Sequence, residues 1–135
     1  MIVVMPAASS ELPIVSWHAH VYFDPASTRA SAEQVRRGIA ERFKVQLGRW
    51  HEVPVGPHTA AMYQVAFDVE VFASLLPWLT LQREGLSVLV HPNTLRPRAD
   101  HLVHALWLGA PLPLRGDVLP ESIEAREESP IVPNT

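Results

Sequence analysis

The chain has 135 residues, of which 47% are hydrophobic and 19% charged, and it contains no cysteine. That is the size and make-up of one globular domain. It excludes a disulfide scaffold, a thiolate metal site and a cysteine nucleophile.

The net charge is −3, but it is unevenly placed: residues 116–135 carry five acidic side chains against Arg126 alone, so the remainder sums to +1. A near-neutral body has no surface suited to tracking phosphates, and nucleic acid is not an expected partner. No apolar run approaches the ~20 residues that cross a bilayer. Residues 1–5 are apolar but lack a basic flank and are too short for a secretory leader. A soluble, cytoplasmic protein with no membrane partner is therefore expected. Histidine is abundant, at seven residues, and so is proline, at 13, five of them from Pro111 onward.

In chain order, residues 1–13 show no hydrophobic period and read as a flexible arm. Residues 14–23, IVSWHAHVYF, are rich in β-branched and aromatic side chains and stop at Asp24-Pro25, which predicts a strand. Alternation sends Trp17, Ala19, Val21 and Phe23 to one face and His18, His20 and Tyr22 to the other. Ser31 and Gln34 have the spacing of a capping box, and Ala32, Val35, Ile39 and Phe43 form one apolar stripe, predicting a helix to about residue 43. A second strand is expected over 45–53, with Arg49 and His51 on one face and Trp50 on the other. A turn at Pro54-Val55-Gly56-Pro57-His58 leads to a third strand over 59–67.

Asp68 then suits an N-cap, and Val69, Phe72, Leu76 and Leu79 suit the buried stripe of a second helix, with a kink or break expected at Pro77. Gly85 suits its end. Residues 86–90 predict a short central strand that ends at His91-Pro92. A loop through Arg96, Pro97 and Arg98 follows, then a possible further strand within 105–109. The order is β-α-β-β-α-β, the ferredoxin-like pattern: an α+β sandwich with both helices on one face of an antiparallel sheet. Right-handed crossovers place the first strand between the third and the fourth. Residues 14–114 then form the domain and 115–135 an acidic, proline-rich tail, expected to be partly mobile. The uncovered sheet face predicts a homodimer or higher oligomer.

His18 and His20 lie about 7 Å apart on one strand face, which allows both rings to converge on one metal ion. His91 ends the strand expected beside them, about 4.8 Å away. These three form the candidate ligand set, although an HxH on an exposed sheet is otherwise a solvent-facing pair. His101 and His104 would share one face of a helical turn, with Asp100 placed to orient either ring. His51 and His58 flank the 54–57 turn. Arg49 suits a substrate carboxylate, which its planar fork binds with two hydrogen bonds. No GxSxG, P-loop or GxGxxG segment is present. Imidazole ligands suit zinc, copper, iron and nickel alike, so spacing selects neither a metal nor a substrate.

Several blocks together carry a more specific signal. They are His18-Ala19-His20-Val21-Tyr22-Phe23, Leu47-Gly48-Arg49-Trp50-His51, Val55-Gly56-Pro57-His58, Met62-Tyr63-Gln64-Val65-Ala66-Phe67, Val88-Leu89-Val90-His91-Pro92-Asn93-Thr94, Asp100-His101 and His104-Ala105-Leu106-Trp107-Leu108-Gly109. In this order they resemble the DOPA 4,5-dioxygenase family of fungi and bacteria, over roughly residues 16–114. The resemblance implies a small α+β enzyme that opens a catechol ring, such as that of L-DOPA, by extradiol cleavage with O2. It implies non-haem iron(II), for which zinc or nickel could substitute.

The usual iron triad has two histidines and a carboxylate. Here only Glu52 and Asp100 are nearby acids, so the site uses three histidines or an acid the sequence does not mark. Within this reading His58 is the first candidate for proton transfer, with His51, His101 and His104 as further catalytic or supporting residues. Arg49 and Tyr63 are the candidate substrate-binding residues. The competing expectation is a non-catalytic, histidine-rich metal-binding or assembly module.

Overall fold

The computed structural model describes residues 14–125 and 133–135. The expected arm at 1–13 and residues 126–132 of the tail lie outside the described residues. Among the described residues, four strands and two long helices come first, in the order β1 (Ser16–Phe23), α1 (Arg29–Arg42), β2 (Gln46–Leu47), β3 (Ala61–Phe67), α2 (Val69–Gln82) and β4 (Val88–Asn93). A short helix α3 (Pro97–Leu102) and strand β5 (Leu106–Leu108) complete the series. The strands form one antiparallel sheet in the order β2-β3-β1-β4-β5, with β1 between β3 and β4 as its topology predicts. This is the ferredoxin-like α+β sandwich with one strand added at the edge.

Alternation divides the sheet. Ala19, Val21 and Phe23 of β1 join Tyr63, Val65 and Phe67 of β3 and Val88 and Val90 of β4 in the main core. Ala32, Val35 and Ile39 of α1 and Leu75 and Leu79 of α2 cover that core. Trp17 packs its ring against Phe72, with centroids 4.6 Å apart. The opposite face carries His18, His20 and Tyr22, all buried.

Several local expectations change. The capping box at Ser31 does not form. Helix α1 begins at Arg29 with Thr28 at the N-cap and no side-chain cap bond, because the Thr28 hydroxyl instead accepts from the Asp24 N–H (2.7 Å). The strand expected over 45–53 shrinks to Gln46–Leu47 plus a single bridge from His51 to Met62. Pro77 lies inside α2 and does not break it. It removes one helical N–H, but Pro77 and Ala73, whose carbonyl would have accepted it, are both on the exposed side, where water serves. The buried stripe of α2 is Leu75 and Leu79, whereas Val69 is 45% exposed.

Strand β4 runs on through Pro92 to Asn93. The Asn93 carbonyl accepts from Val15 N–H (3.2 Å) on the β1 side. Backbone alternation then turns Pro92 the other way, beyond the end of β5, which pairs only with residues 88–90. The missing proline N–H therefore leaves no gap in a ladder. The loop expected at 96–98 opens α3, with Pro97 in its first turn, where its lost N–H is harmless.

The chain also covers its own second sheet face. Arg98 donates to the carbonyls of Gly116 and Leu119 and pairs with Glu121, and Ile123 N–H donates to Leu95 O (2.9 Å). Residues 115–125, expected as a loose tail, thus lie over the sheet. The face that motivated an oligomer is closed from within the chain. Among the described residues, no helix is long and apolar enough to cross a membrane.

The two-sided packing leads to a contrast. Ile39→Ala, in the core beneath α1, should lower unfolding free energy by about 2–5 kcal/mol. Leu81→Ala, at a side chain 81% exposed, should change it by less than about 0.5 kcal/mol. Urea denaturation of both variants measures the difference.

Candidate active site and metal centre

The site is built on the strand register. His18 stands directly opposite His91, and His20 opposite Gln64, so all four side chains share the face away from the long helices. One potential ligand atom from each of His18, His20 and His91 lies within 4.8 Å of the others, and all three residues are buried. His91 is inside β4 rather than at its end, which places its ring against β1 by backbone pairing alone.

The tautomer of His91 follows from its partner. Its Nδ1–H donates to the Pro92 carbonyl (2.9 Å), which can only accept. Nε2 of His91 therefore carries a lone pair, and it lies 3.0 Å from Nε2 of His20. Either His20 donates its Nε2–H there, or both nitrogens turn their lone pairs to a shared cation. Nδ1 of His20 is buried with no hydrogen-bond partner among the described residues. Burial first, then neighbouring His58 and His91, holds His20 well below the ordinary imidazole range. Burial first, then His101 and His18, does the same for His91. Both rings are thus neutral, the state in which imidazole binds a metal. The donor set fits a divalent transition metal with imidazole preference. Its chemistry alone does not separate iron from zinc, copper or nickel.

Two further rings face this trio. His101, on α3, lies 3.8 Å from His91 between ring centroids, and its Nδ1–H donates to the Pro97 carbonyl (2.8 Å). His58 lies 4.1 Å from His20. It enters from the turn at Gly56, whose φ of +56° suits glycine, and is fixed by His58 N–H donating to Val55 O (3.0 Å) and by a bridge to Leu114. His58 Nδ1 is 2.6 Å from the Tyr22 hydroxyl. The rings of His58 and His101 are 6.4 Å apart. Together with Gln64 they line a cavity of about 360 Å³, within the usual range for small-molecule sites of about 300–1,000 Å³.

Not every expected residue arrives here. His51 is half-buried beside His58 and lowers its pKa, and its Nε2 has no hydrogen-bond partner among the described residues, but it does not line the cavity. His104 is exposed and borders a separate hollow with Trp17 and Arg96. Arg49 is exposed and outside the cavity lining. Tyr63, expected at the substrate, pairs with Val21 and so faces the helices. Its hydroxyl donates to Ala32 O (3.0 Å), and Arg36 covers its ring. Asp100, expected to orient a histidine, accepts from the Thr94 N–H (2.8 Å) and hydroxyl (2.7 Å), closing the turn that presents α3. Glu52 is exposed and pairs with Arg29 and Trp50.

Three residues were not singled out in the sequence. Tyr22 and Gln64 lie on the histidine face by the same alternation, and Gln64 is the one amide in an otherwise apolar strand. The third, Asn134, donates its N–H to Gln64 Oε1 (2.9 Å) and accepts from Gln64 Nε2 (2.8 Å), bringing residues 133–135 to the cavity edge. No periodicity marks that contact.

With this geometry in hand, likeness to known proteins is decisive. The model of the Dopa 4,5-dioxygenase family matches residues 17–118. The chain belongs to this family. The DOPA 4,5-dioxygenase of Amanita muscaria is 32% identical over 122 residues, covering 79% of this chain and 54% of that protein. A 21.2 kDa protein of Botryotinia fuckeliana, named as uncharacterized, is 40% identical over 90 residues, covering 61% of this chain and 48% of its own. The chain thus spans about half the length of the curated relatives it matches. A crystal structure from Nostoc punctiforme, titled as a candidate dioxygenase, is 53% identical with a TM-score of 0.76, covering 78% of this chain and 90% of that one.

Burial of neutral imidazoles makes the metal-free fold acid-sensitive. His58 is lowered to about 3, by burial first and then by His101 and His51, against about 6.5 in the unfolded chain. Between those values the unfolded chain binds a proton that the folded one does not, so stability falls as pH falls. His58 alone contributes about 1.4 kcal/mol per pH unit across that window, and His20 and His91 shift in the same direction. Urea midpoints of the chelator-treated protein should drop steeply from pH 6.5 to 4.5, and His58→Gln should flatten the slope.

Proposed function

We propose that this protein is an iron(II)-dependent extradiol dioxygenase that opens a catechol ring, with His18, His20 and His91 as ligands. The observation that carries the reading is the convergence of three buried imidazoles beneath two more, His58 and His101, in one small-molecule cavity. Membership of the Dopa 4,5-dioxygenase family supports it, and the names of the Amanita and Nostoc relatives agree with the class.

Iron(II), when bound, supplies a common site for catechol and O2. The chain's own groups provide position and protons. The cavity walls hold the flat ring against the imidazole cluster and limit water. Ring opening that retains both oxygen atoms needs no net proton. A proton taken from a catechol hydroxyl must later be returned to the opened product. His101 and His58 both line this cavity, and the transfer falls to His101, with His58 beside the same substrate. His101 holds its proton at Nδ1 against Pro97 O, which leaves Nε2 as the acceptor. A neutral imidazole takes the proton, and the imidazolium so formed returns it. L-DOPA is the first substrate to test.

The purified protein is loaded anaerobically with Fe(II), given L-DOPA or 4-methylcatechol, and then exposed to air. A yellow ring-fission chromophore with one O2 consumed per catechol is expected. His20→Ala and His91→Ala should lose iron while keeping the fold, whereas His104→Ala should keep its metal content. Zinc or nickel in the same site should bind without turnover. Metal bound by the wild type with no turnover across a catechol panel would assign the site to binding alone.

A further inference from the structure

Tyr22 is two residues beyond His20 on the same strand face, and the reaction as drawn gives it no part. Its ring is buried among Met62 and Leu89 and stacks on Trp107 with centroids 5.9 Å apart. Among the described residues, its hydroxyl has one hydrogen-bond partner, His58 Nδ1, at 2.6 Å. The direction of that bond is decided by what surrounds it. A phenol carries one O–H donor, and a buried donor without an acceptor is costly. If His58 donated from Nδ1, the phenolic proton would be left pointing into an apolar pocket. If the phenol donates, both groups are satisfied. The bond therefore runs from Tyr22 O–H to Nδ1, and the one ring proton of neutral His58 sits on Nε2.

We propose that Tyr22 is a positioning residue that locks His58 in the Nε2–H tautomer, so that His58 offers the cavity an N–H hydrogen-bond donor and His101 a lone-pair acceptor. This rests on the ring-opening reading for its catalytic consequence, although not for the tautomer itself. His58 and His101 are both orientated through Nδ1, but with opposite polarity. The Pro97 carbonyl can only accept, so His101 keeps its proton on Nδ1. The Tyr22 hydroxyl donates, so His58 keeps its proton on Nε2. Two histidines of the same type thus acquire complementary roles from their partners, as second-layer hydrogen bonds set imidazole tautomers elsewhere. The turn at Gly56-Pro57 holds the His58 backbone, and Tyr22 sets the ring.

The test is long-range ¹H–¹⁵N NMR of the histidine ring nitrogens in the full-length protein, metal-free and zinc-loaded, with kinetics on the iron form. In the wild type, His58 should show a protonated Nε2 and an acceptor-type Nδ1. Tyr22→Phe should keep the fold and iron content but give mixed tautomers at His58. Its kcat should fall about 10- to 100-fold with KM changed less than about twofold, a part of the 10²- to 10³-fold typical of a lost hydrogen-bond donor to developing charge. His58→Gln added to Tyr22→Phe should lose less than the product of the two single effects.

A wild-type spectrum with Nδ1–H on His58 would overturn the inference, and that measurement stands even where Tyr22→Phe does not fold. So would an unchanged tautomer and kcat in Tyr22→Phe. A wild type that opens no catechol yet shows the Nε2–H tautomer would sink the ring-opening reading alone.

Discussion

A β-strand turns successive side chains to opposite faces, and a one-residue slip between β1 and β4 would carry His91 off the face of His18 and His20 and into the helix-covered core. The pairing of His18 with His91 is therefore the constraint on which the site depends. It is held from both sides of the sheet. Ala19, Val21, Val88 and Val90 bury themselves under α1 and α2, and they can do so only in the register that leaves the imidazoles on the other face. The hydrophobic core and the imidazole cluster are two consequences of one alternation, so selection for either maintains the other.

Five imidazoles under cover create a second requirement. Each neutral ring has one donor and one acceptor nitrogen, and burial makes an unpaired one expensive. For His91 and His101 the chain meets this with the backbone carbonyls of two prolines. Pro92 turns its carbonyl away from β1 past the end of β5, and Pro97 opens α3 with a carbonyl that takes the Nδ1–H of His101. Two prolines that would disturb a ladder or a helix interior are placed where the lost N–H is harmless and the carbonyl is useful. The cover itself comes from α3, the turn at Gly116–Val118 and residues up to Ile123. It makes a closed pocket out of an open sheet face, lowering the pKa of His20, His58 and His91 by desolvation. The same burial that keeps these rings able to bind a metal makes the empty protein sensitive to acid.

The division of labour around the cavity is set one layer out. Nothing in the imidazoles of His58 and His101 distinguishes them. A phenol behind one and a carbonyl behind the other do. Asp100, a carboxylate in the cavity lining, is occupied by Thr94 and shapes the turn before α3.

By itself the sequence determined the order of elements, the central place of β1 and the side of the sheet to which His18, His20 and Tyr22 point. Period-two and helical-period patterns are local, and they survive into the fold wherever a ladder or a packed helix enforces them. Tertiary structure decided the rest, for reasons specific to each residue. Arg49 follows a strand cut to two residues, where alternation no longer holds a side chain to a face. Tyr63 faces the helices because β3 registers it against Val21, a pairing that no local pattern states. His101, on α3, reaches His91, whereas His104 lies past the end of α3 at Leu102, and a six-residue helix opened by proline shows too few turns to announce itself in the sequence. The cover over the site is built from proline-rich chain with no period at all, held by Arg98 and by single backbone hydrogen bonds. Contacts of that kind depend on where distant segments meet, and only the folded chain brings them together.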